Sequence, residues 1–154
     1  MNTRGPSLYK RLCALGALLL MFTNTNVLAE QMVSHGNYII HYNAFNSTFL
    51  QPNVAQAYEI SRSKFKALLN ISVLKKADDG STSPVSAVVA GNVTNLISQS
   101  QTLKFNKIAE SNALYYLADF TFADDQVLRF NLQVQPEPNQ PAYDINFEQR
   151  FYVD

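Results

Sequence analysis

Apolar and polar residues alternate with a period of two along most of the chain from residue 38 onward. Successive side chains of a β-strand point to opposite faces of the sheet, so this alternation predicts strands with one buried face and one wetter face. Seven runs follow the pattern. Their apolar positions are Tyr38, Ile40, Tyr42 and Ala44; Phe65, Ala67, Leu69, Ile71 and Val73; Val85, Ala87 and Val89; Leu103 and Phe105; Leu114, Tyr116, Ala118, Phe120 and Phe122; Leu128, Phe130, Leu132 and Val134; and Tyr143, Ile145, Phe147, Phe151 and Val153.

Turn-forming residues lie between these runs. Asp79 and Gly80 are a pair that tolerates positive φ, and they predict a hairpin between the second and third runs. Residues 123–126 form a short polar connection between the fifth and sixth runs. Residues 136–141 contain too many prolines to pair inside a sheet, so they predict a loop before the last run.

One short helix is predicted between the first two strands. Pro52 suits the first turn of a helix, and Val54, Ala57 and Tyr58 would then share one face. Closely spaced strands without regularly alternating helices favour an antiparallel sandwich. We therefore predict an all-β fold, a seven-stranded antiparallel immunoglobulin-like β-sandwich formed by residues 30–154 as a single domain. A closed barrel would use the same alternation and is the alternative.

The N-terminal residues have the features of a secretory signal peptide. Three basic residues precede an unbroken apolar run at 12–22, and a polar stretch then leads to Val27 and Ala29, which have the small or modest size accepted three positions and one position before a cut. This order predicts a signal peptide at residues 1–29 that is cleaved between Ala29 and Glu30. The run is shorter than the roughly 20 residues needed to cross a bilayer. We expect export to the periplasm and no stable membrane span after cleavage.

Cleavage would also change the charge and the thiol content of the chain. It would remove Cys13, the single cysteine, and three of the 12 basic residues but none of the 12 acidic ones. The mature domain would carry nine basic and 12 acidic residues, a net charge of −3. A mildly acidic domain is repelled by phosphate backbones and anionic lipids, so we expect no nucleic-acid partner. Thiol chemistry would also be excluded.

The residues that could carry chemistry are few. His35 and His41 would lie roughly 20 Å apart on one extended strand, too far to share a metal ion unless Gly36 breaks the strand. The adjacent carboxylates at 78–79 and 124–125 fall in predicted turns, where aspartate side chains form hydrogen bonds with nearby backbone groups. The chain has no nucleophile elbow and no glycine-rich phosphate loop. We expect no metal, no cofactor and no enzymatic activity. An enzyme would require distant polar residues to converge in one cleft.

A set of ordered segments resembles a known family. The segments are YIIHYNAF at 38–45, LQP at 50–52, YEISRSK at 58–64, LNISV at 69–73, GNVTNL at 91–96 and the pair Tyr115 and Tyr116. Together they resemble the DUF4426 family, small exported proteins of Gram-negative bacteria that form a domain of unknown function. The resemblance implies a periplasmic setting and a β-sandwich. It carries over no catalytic or binding residue.

These features together predict a non-enzymatic binding domain. The first hypothesis is a protein-interaction module that binds another periplasmic or envelope protein. It would act through a sheet edge, because unpaired strands accept a strand from another chain, or through the wetter face near His41, Arg62 and Asn70. Neither the partner nor the oligomeric state follows from the sequence.

The second hypothesis is a carrier for a small ligand or a glycan. Aromatic side chains suit sugars and apolar ligands, so a pocket among the tyrosines would serve this function. The tyrosines considered are Tyr38, Tyr42, Tyr115 and Tyr116. The same side chains could instead belong to the core and to cross-strand pairs.

Overall fold

A computed structural model describes residues 31–154 of the chain. The predicted signal peptide, with Ala29 and Glu30 at its cleavage site, lies outside the described residues. Ten strands form in this part of the chain. They are β1 (Gln31–His35), β2 (Tyr38–Asn46), β3 (Lys66–Lys76), β4 (Thr82–Pro84), β5 (Val88–Asn95), β6 (Ser100–Thr102), β7 (Asn106–Glu110), β8 (Ala113–Thr121), β9 (Gln126–Gln135) and β10 (Tyr143–Phe151).

The strands make two antiparallel sheets and no closed barrel. The large sheet has the order β1-β2-β3-β8-β7, with β4 also paired to β3. The small sheet has the order β10-β9-β5-β6. A 3₁₀ turn (Ser47–Phe49) and the single described α-helix, α1 (Pro52–Ala57), lie between β2 and β3. The predicted all-β sandwich and its short helix are therefore confirmed.

The predicted count of seven strands is too low. Five of the seven runs coincide with β2, β3, β8, β9 and β10. β1 and β4 have no clear apolar alternation and form because each pairs with a neighbour in the large sheet. The run at 103–105 is the link between β6 and β7, and only the end of the run at 85–89 reaches β5.

The core lies between the two sheets and consists of the predicted apolar rows. Most inward positions are buried, others such as Val89 and Phe147 are partly buried and pack against them, and Phe130 at the centre is 1% exposed. Its ring stacks on Phe147 at 4.4 Å and meets the edge of Phe120 at 5.2 Å. Two residues depart from the predicted pattern. Phe65, placed in the core row of the second run, is 49% exposed, and Leu68 is buried on the opposite face of the sheet.

The predicted turns are at the expected places. Gly80 has a φ of +85° in the turn between β3 and β4, a conformation that glycine adopts without strain. Residues 136–141 form the loop between β9 and β10. A turn that was treated as strand lies at Gly36, where a φ of +56° separates β1 from β2.

Candidate functional site

A groove lies on the outer face of the large sheet, beneath the chain that connects β2 to β3. We call residues 47–65 the crossover segment. The groove has a volume of about 260 Å³. Its lining comes from the crossover segment and from four strands of the large sheet, and is mostly apolar: Phe45, Leu50, Val54, Tyr58, Ile60, Asn70, Ile108, Glu110, Tyr115 and Leu117. A smaller hollow of about 140 Å³ shares Tyr58, Ile60 and Leu117 with it.

Strand register places the floor of the groove. In β3, Asn70 lies opposite Leu117 of β8, and Leu117 lies opposite Asn106 of the edge strand β7. One step along, Tyr115 lies opposite Ile108. In β3 and β8 the neighbours of these residues in sequence point into the core, so the alternation turns this set outward. The outer face of the sheet therefore carries apolar side chains where a solvated strand face would be polar.

The crossover segment is held over the sheet by the way in which α1 ends. The Ile60 N–H donates to the Ala55 carbonyl at 2.8 Å and the Glu59 N–H to the Gln56 carbonyl at 3.2 Å. With Glu59 at a φ of +55°, this is a Schellman C-cap, a position where glycine is usual. The cap reverses the chain after Tyr58, so that Val54, Tyr58 and Ile60 all line the groove.

Tyr58 and Glu110 join the crossover segment to the edge strand at the rim of the groove. The Tyr58 hydroxyl donates a hydrogen bond to the Glu110 carboxylate. This hydrogen bond raises the pKa of the Tyr58 phenol, because the carboxylate favours the protonated donor. Glu110 is the one charged residue in the lining.

Asn46, just before the crossover segment, and Thr48 within it form hydrogen bonds with residues 152 and 154. The Asn46 amide donates to the Tyr152 carbonyl at 2.9 Å and to the Asp154 carboxylate at 3.0 Å. The Thr48 hydroxyl donates to the same carboxylate at 2.6 Å. These two donors lower the pKa of Asp154, with Thr48 the larger cause. Ser47 and Ser63 close the base of the segment by exchanging two hydrogen bonds, both of 2.9 Å.

Acid should weaken the clamp, our name for the hydrogen bonds that Asn46 and Thr48 donate to the Asp154 carboxylate. The lowered pKa means that Asp154 stabilises the fold above its unfolded pKa of about 3.9, and that this stabilisation disappears as the pH falls through the folded value. We expect Asp154→Asn to destabilise the protein at pH 7 and the difference from the unsubstituted protein to shrink below about pH 4. Urea unfolding across pH 3–7 measures this. Asp78→Asn, in the exposed turn after β3, is the control, and curves of Asp154→Asn that stay parallel to the unsubstituted protein would contradict the clamp.

A buried acceptor without a partner belongs to Asn70, one of the residues that line the groove. Among the buried side-chain nitrogen and oxygen atoms of residues 31–154, Asn70 Oδ1 alone accepts no hydrogen bond. Buried polar groups are nearly always paired, because an unpaired one forfeits its bonds to water. No lysine or arginine side chain lines the groove. The lining holds donors as well as acceptors, because Asn70 has an amide N–H₂ group and Tyr58 and Tyr115 have hydroxyl groups.

The three residues suggested for binding do not form one cluster. Asn70 lines the groove, whereas His41 and Arg62 do not. His41 lies on the same outer face, on β2 opposite Ser72. Arg62 belongs to the crossover segment, where its guanidinium donates to the Thr48 carbonyl at 2.9 Å.

The four tyrosines suggested for an aromatic pocket are divided between the two faces of the large sheet. Tyr38, Tyr42 and Tyr116 point inward and are at most 8% exposed. Tyr115 points outward into the groove. The groove therefore uses one of the four, together with Phe45 and Tyr58, which the sequence interpretation did not include.

The two histidines lie on a hairpin and not on one extended strand. Gly36 reverses the chain, so His35 pairs with Tyr38 and His41 pairs with Met32. His35 lies on the inner side, stacked on Tyr143 at 4.3 Å, whereas His41 lies on the outer face. In residues 31–154 no three His, Cys, Asp or Glu side chains are grouped closely enough to hold a metal ion. In the same residues no helix has the length and apolar character to cross a membrane.

Comparisons with known proteins identify the family and the fold. The family model of the domain of unknown function DUF4426 matches residues 32–154. The crystal structure of a DUF4426 family protein from Pseudomonas aeruginosa is 34% identical, with a TM-score of 0.69 over 81% of this chain and 96% of that one. None of the curated proteins matches the chain.

More distant structures have the same fold. FetP of a uropathogenic Escherichia coli strain, produced recombinantly in the E. coli periplasm, is 11% identical, with a TM-score of 0.57 over 80% of this chain and 94% of that one. A copper-bound variant of FetP is also 11% identical, with a TM-score of 0.54 over 80% of this chain and 95% of that one. At this identity the likeness concerns the fold alone.

Proposed function

We propose, from the premise that this chain belongs to the DUF4426 family, that it is a periplasmic, non-enzymatic binding domain that takes up an extended segment of another envelope protein. The segment would add to the free edge of β7 as a further strand of the large sheet. The observation that carries the proposal is that Ile108 and Glu110, two residues of this edge strand, are also a wall of the groove.

The hydrogen-bond pattern between β3, β8 and β7 shows which backbone groups of β7 face its outer edge. Just beyond β3 and β8, the Phe122 N–H donates to the Phe65 carbonyl at 3.1 Å, so even-numbered residues of β8 bond to β3. Odd-numbered residues of β8 then bond to the even-numbered residues of β7. The backbone N–H and C=O groups of Lys107 and Ala109 are left facing the open edge.

The groove adds specificity to such an edge. Main-chain hydrogen bonds to an added strand are independent of its sequence, whereas a pocket beside the edge selects one side chain. The groove reaches from Ile108 and Glu110 at the edge to Asn70 in β3. A side chain on the outer face of the added strand would lie beside it.

The long edge of the small sheet is less suited to strand addition. Charged side chains lie on both edges, so charge does not distinguish β10 from β7. On the inner side of β10, Gln149 donates to the Ala44 carbonyl of β2 at 2.9 Å, and Tyr143 stacks on His35. These contacts attach β10 to the large sheet.

The setting of the proposal comes from the family and from the sequence. The signal-like N-terminus supports export, and FetP, with a similar fold, was produced in the periplasm. We also propose that the sandwich is of immunoglobulin-like type, which its two face-to-face antiparallel sheets support.

Ala109→Pro tests the proposal. Proline removes the Ala109 N–H, which faces the open edge, and leaves the ladder to β8 intact, so the fold should tolerate it. A photoreactive residue at Asn106 of the full chain, exported in cells, should crosslink to a discrete envelope protein. We expect Ala109→Pro to reduce that product at least tenfold.

Ala109→Ser is the matched control, because it keeps the N–H and should leave the crosslink unchanged. A photoreactive residue at Asn146 on β10 should not give the same product. Equal crosslinking of the proline and serine variants, with both folded by circular dichroism, would contradict strand addition at β7.

A further inference from the structure

We infer that β7 also pairs with β7 of a second copy of this chain, so that the large sheets of two molecules join edge to edge as a homodimer. The inference goes beyond the proposed function, because it involves this chain alone. It rests on that function for one consequence only, the competition of the second copy and the added segment for the same edge. It follows from the fact that the free edge of β7 is complementary to itself.

The backbone of β7 matches its own copy about Ile108. The free N–H and C=O groups of the strand belong to Lys107 and Ala109, because its even-numbered residues bond to β8. In an antiparallel pair with a two-fold axis at Ile108, Lys107 of each copy lies opposite Ala109 of the other. Each such pair exchanges two hydrogen bonds. The two pairs therefore use all the free backbone groups of both residues in both copies.

The side chains on the outer face also match in this register. Ile108 lies opposite Ile108 of the second copy, and Asn106 lies opposite Glu110 of the second copy. The Asn106 amide has two N–H donors, and the Glu110 carboxylate has a second oxygen besides the one that accepts from Tyr58. Side chains approach most closely at these non-hydrogen-bonded positions. Self-pairing therefore brings together one apolar pair and two amide–carboxylate pairs.

The inner face of the strand accommodates the same register. Lys107 lies opposite the small side chain of Ala109, and its ammonium group donates to the Ser86 hydroxyl of its own chain at 2.9 Å. No like charges then lie opposite each other on either face. Four of the five residues of β7 are exposed, and the strand pairs with β8 alone. A strand edge of this kind readily pairs with another chain.

The dimer is expected to be weak. Pairing along five residues of each copy gives an interface below about 1,200 Å², the lower end for stable complexes. We expect a dissociation constant of about 0.1 mM. A segment that also places a side chain beside the groove should displace the second copy, because it adds contacts that self-pairing lacks. Self-pairing thus covers the edge until such a segment binds.

Sedimentation velocity of the mature protein from about 10 µM to about 1 mM measures the association. We expect dimers that increase with concentration. Ala109→Pro should raise the dissociation constant about tenfold or more, because it removes the N–H that bonds to Lys107 of the second copy. Ala109→Ser keeps this N–H and should change the constant by less than about twofold. A monomer throughout this range would overturn the inference.

An exchange of acid and amide tests the register. Asn106→Asp places two carboxylates opposite each other in both outer pairs, so it should weaken the dimer about fivefold or more. Adding Glu110→Gln restores one amide opposite one carboxylate, and the double variant should dimerise within about twofold of the unsubstituted protein. Both positions are exposed, so the fold should tolerate the changes. A double variant that is no better than Asn106→Asp would contradict this register.

Single cysteines locate the two-fold axis, because the predicted mature chain lacks Cys13. In the proposed pair the two copies of residue 108 have a Cα separation of about 4.5 Å, within the reach of a disulfide. The two copies of residue 106 lie roughly 13 Å or more apart. Mild oxidation should therefore give a covalent dimer of Ile108→Cys and none of Asn106→Cys. Equal crosslinking of both variants would overturn the assigned pairing.

The second copy and the added segment are distinguished in cells by mass. A photoreactive residue at Asn106 gives a product of twice the mass of the mature chain for the dimer, and a product with a different protein for the segment. A product with an envelope protein, with no dimer by sedimentation, would overturn self-pairing and leave the proposed function standing. A dimer of this register without an envelope product would support self-pairing and contradict the proposed function.

Discussion

Phe130→Ala is expected to lower the free energy of unfolding by about 4 kcal/mol. Phe130 lies on β9 in the centre of the small sheet, opposite Val93, and is 1% exposed. Its ring contacts Phe147 face to face and Phe120 edge to face, and it also meets Phe151 at 6.2 Å. Removing it forfeits the buried area, leaves a cavity and ends these aromatic contacts.

Urea unfolding followed by circular dichroism measures the change. A domain of this size is stable by roughly 5–15 kcal/mol, so the variant should stay folded with a clearly lower midpoint. Phe49→Ala is the control, because Phe49 is 59% exposed and its loss should change the stability by less than about 0.5 kcal/mol. A loss below about 1 kcal/mol for Phe130→Ala would mean that the two sheets do not pack around this ring.

Gly91→Ala is expected to cost about 2–3 kcal/mol, although it adds a single methyl group. Gly91 lies on β5, faces inward and pairs with Leu132 of β9. A Cβ at this position would lie 2.6 Å from the Asn131 carbonyl oxygen and 2.7 Å from Leu132 Cδ2. The carbonyl is backbone within the ladder, so relief requires β5 and β9 to move apart.

Ala90→Val is the control for this substitution. It adds methyl groups to the neighbouring, exposed position of the same strand and should change the stability by less than about 0.5 kcal/mol. The measurement is again the urea midpoint. If Gly91→Ala is as stable as the unsubstituted protein, β5 and β9 do not approach each other so closely at Gly91.

The strands that were predicted correctly are those that bury one face fully. β2 alternates from Tyr38 to Asn46 without interruption, and each inward residue is buried. A strand that packs one face against the other sheet needs an apolar residue at every second position. This pattern is visible in the sequence alone. β1 and β4 were missed because they are held by pairing to a neighbour, which leaves little apolar alternation.

Two apolar residues interrupt the polar rows of the large sheet, a signal from which the sequence prediction did not derive the groove. Leu68 and Leu117 fall at positions where alternation calls for a polar side chain, and both lie beneath the crossover segment. An apolar residue on the outer face of a sheet indicates that something covers it. Alternation within one strand cannot say what the cover is, because the crossover segment reaches the sheet through α1 and its C-cap.

The sequence was enough to predict an all-β protein, most of the side chains in its core, the start of its short helix and its family. Those properties leave patterns in the sequence that can be recognised within short segments of the chain. The three-dimensional arrangement was needed to show that Asn70 lies in the same groove as Tyr58 and Ile108, and that β7 is the edge strand beside it. Which residues become neighbours in the groove depends on the order of the strands and on the path of the crossover segment. Both are stabilised by packing contacts throughout the core, so no short segment of the sequence reveals them.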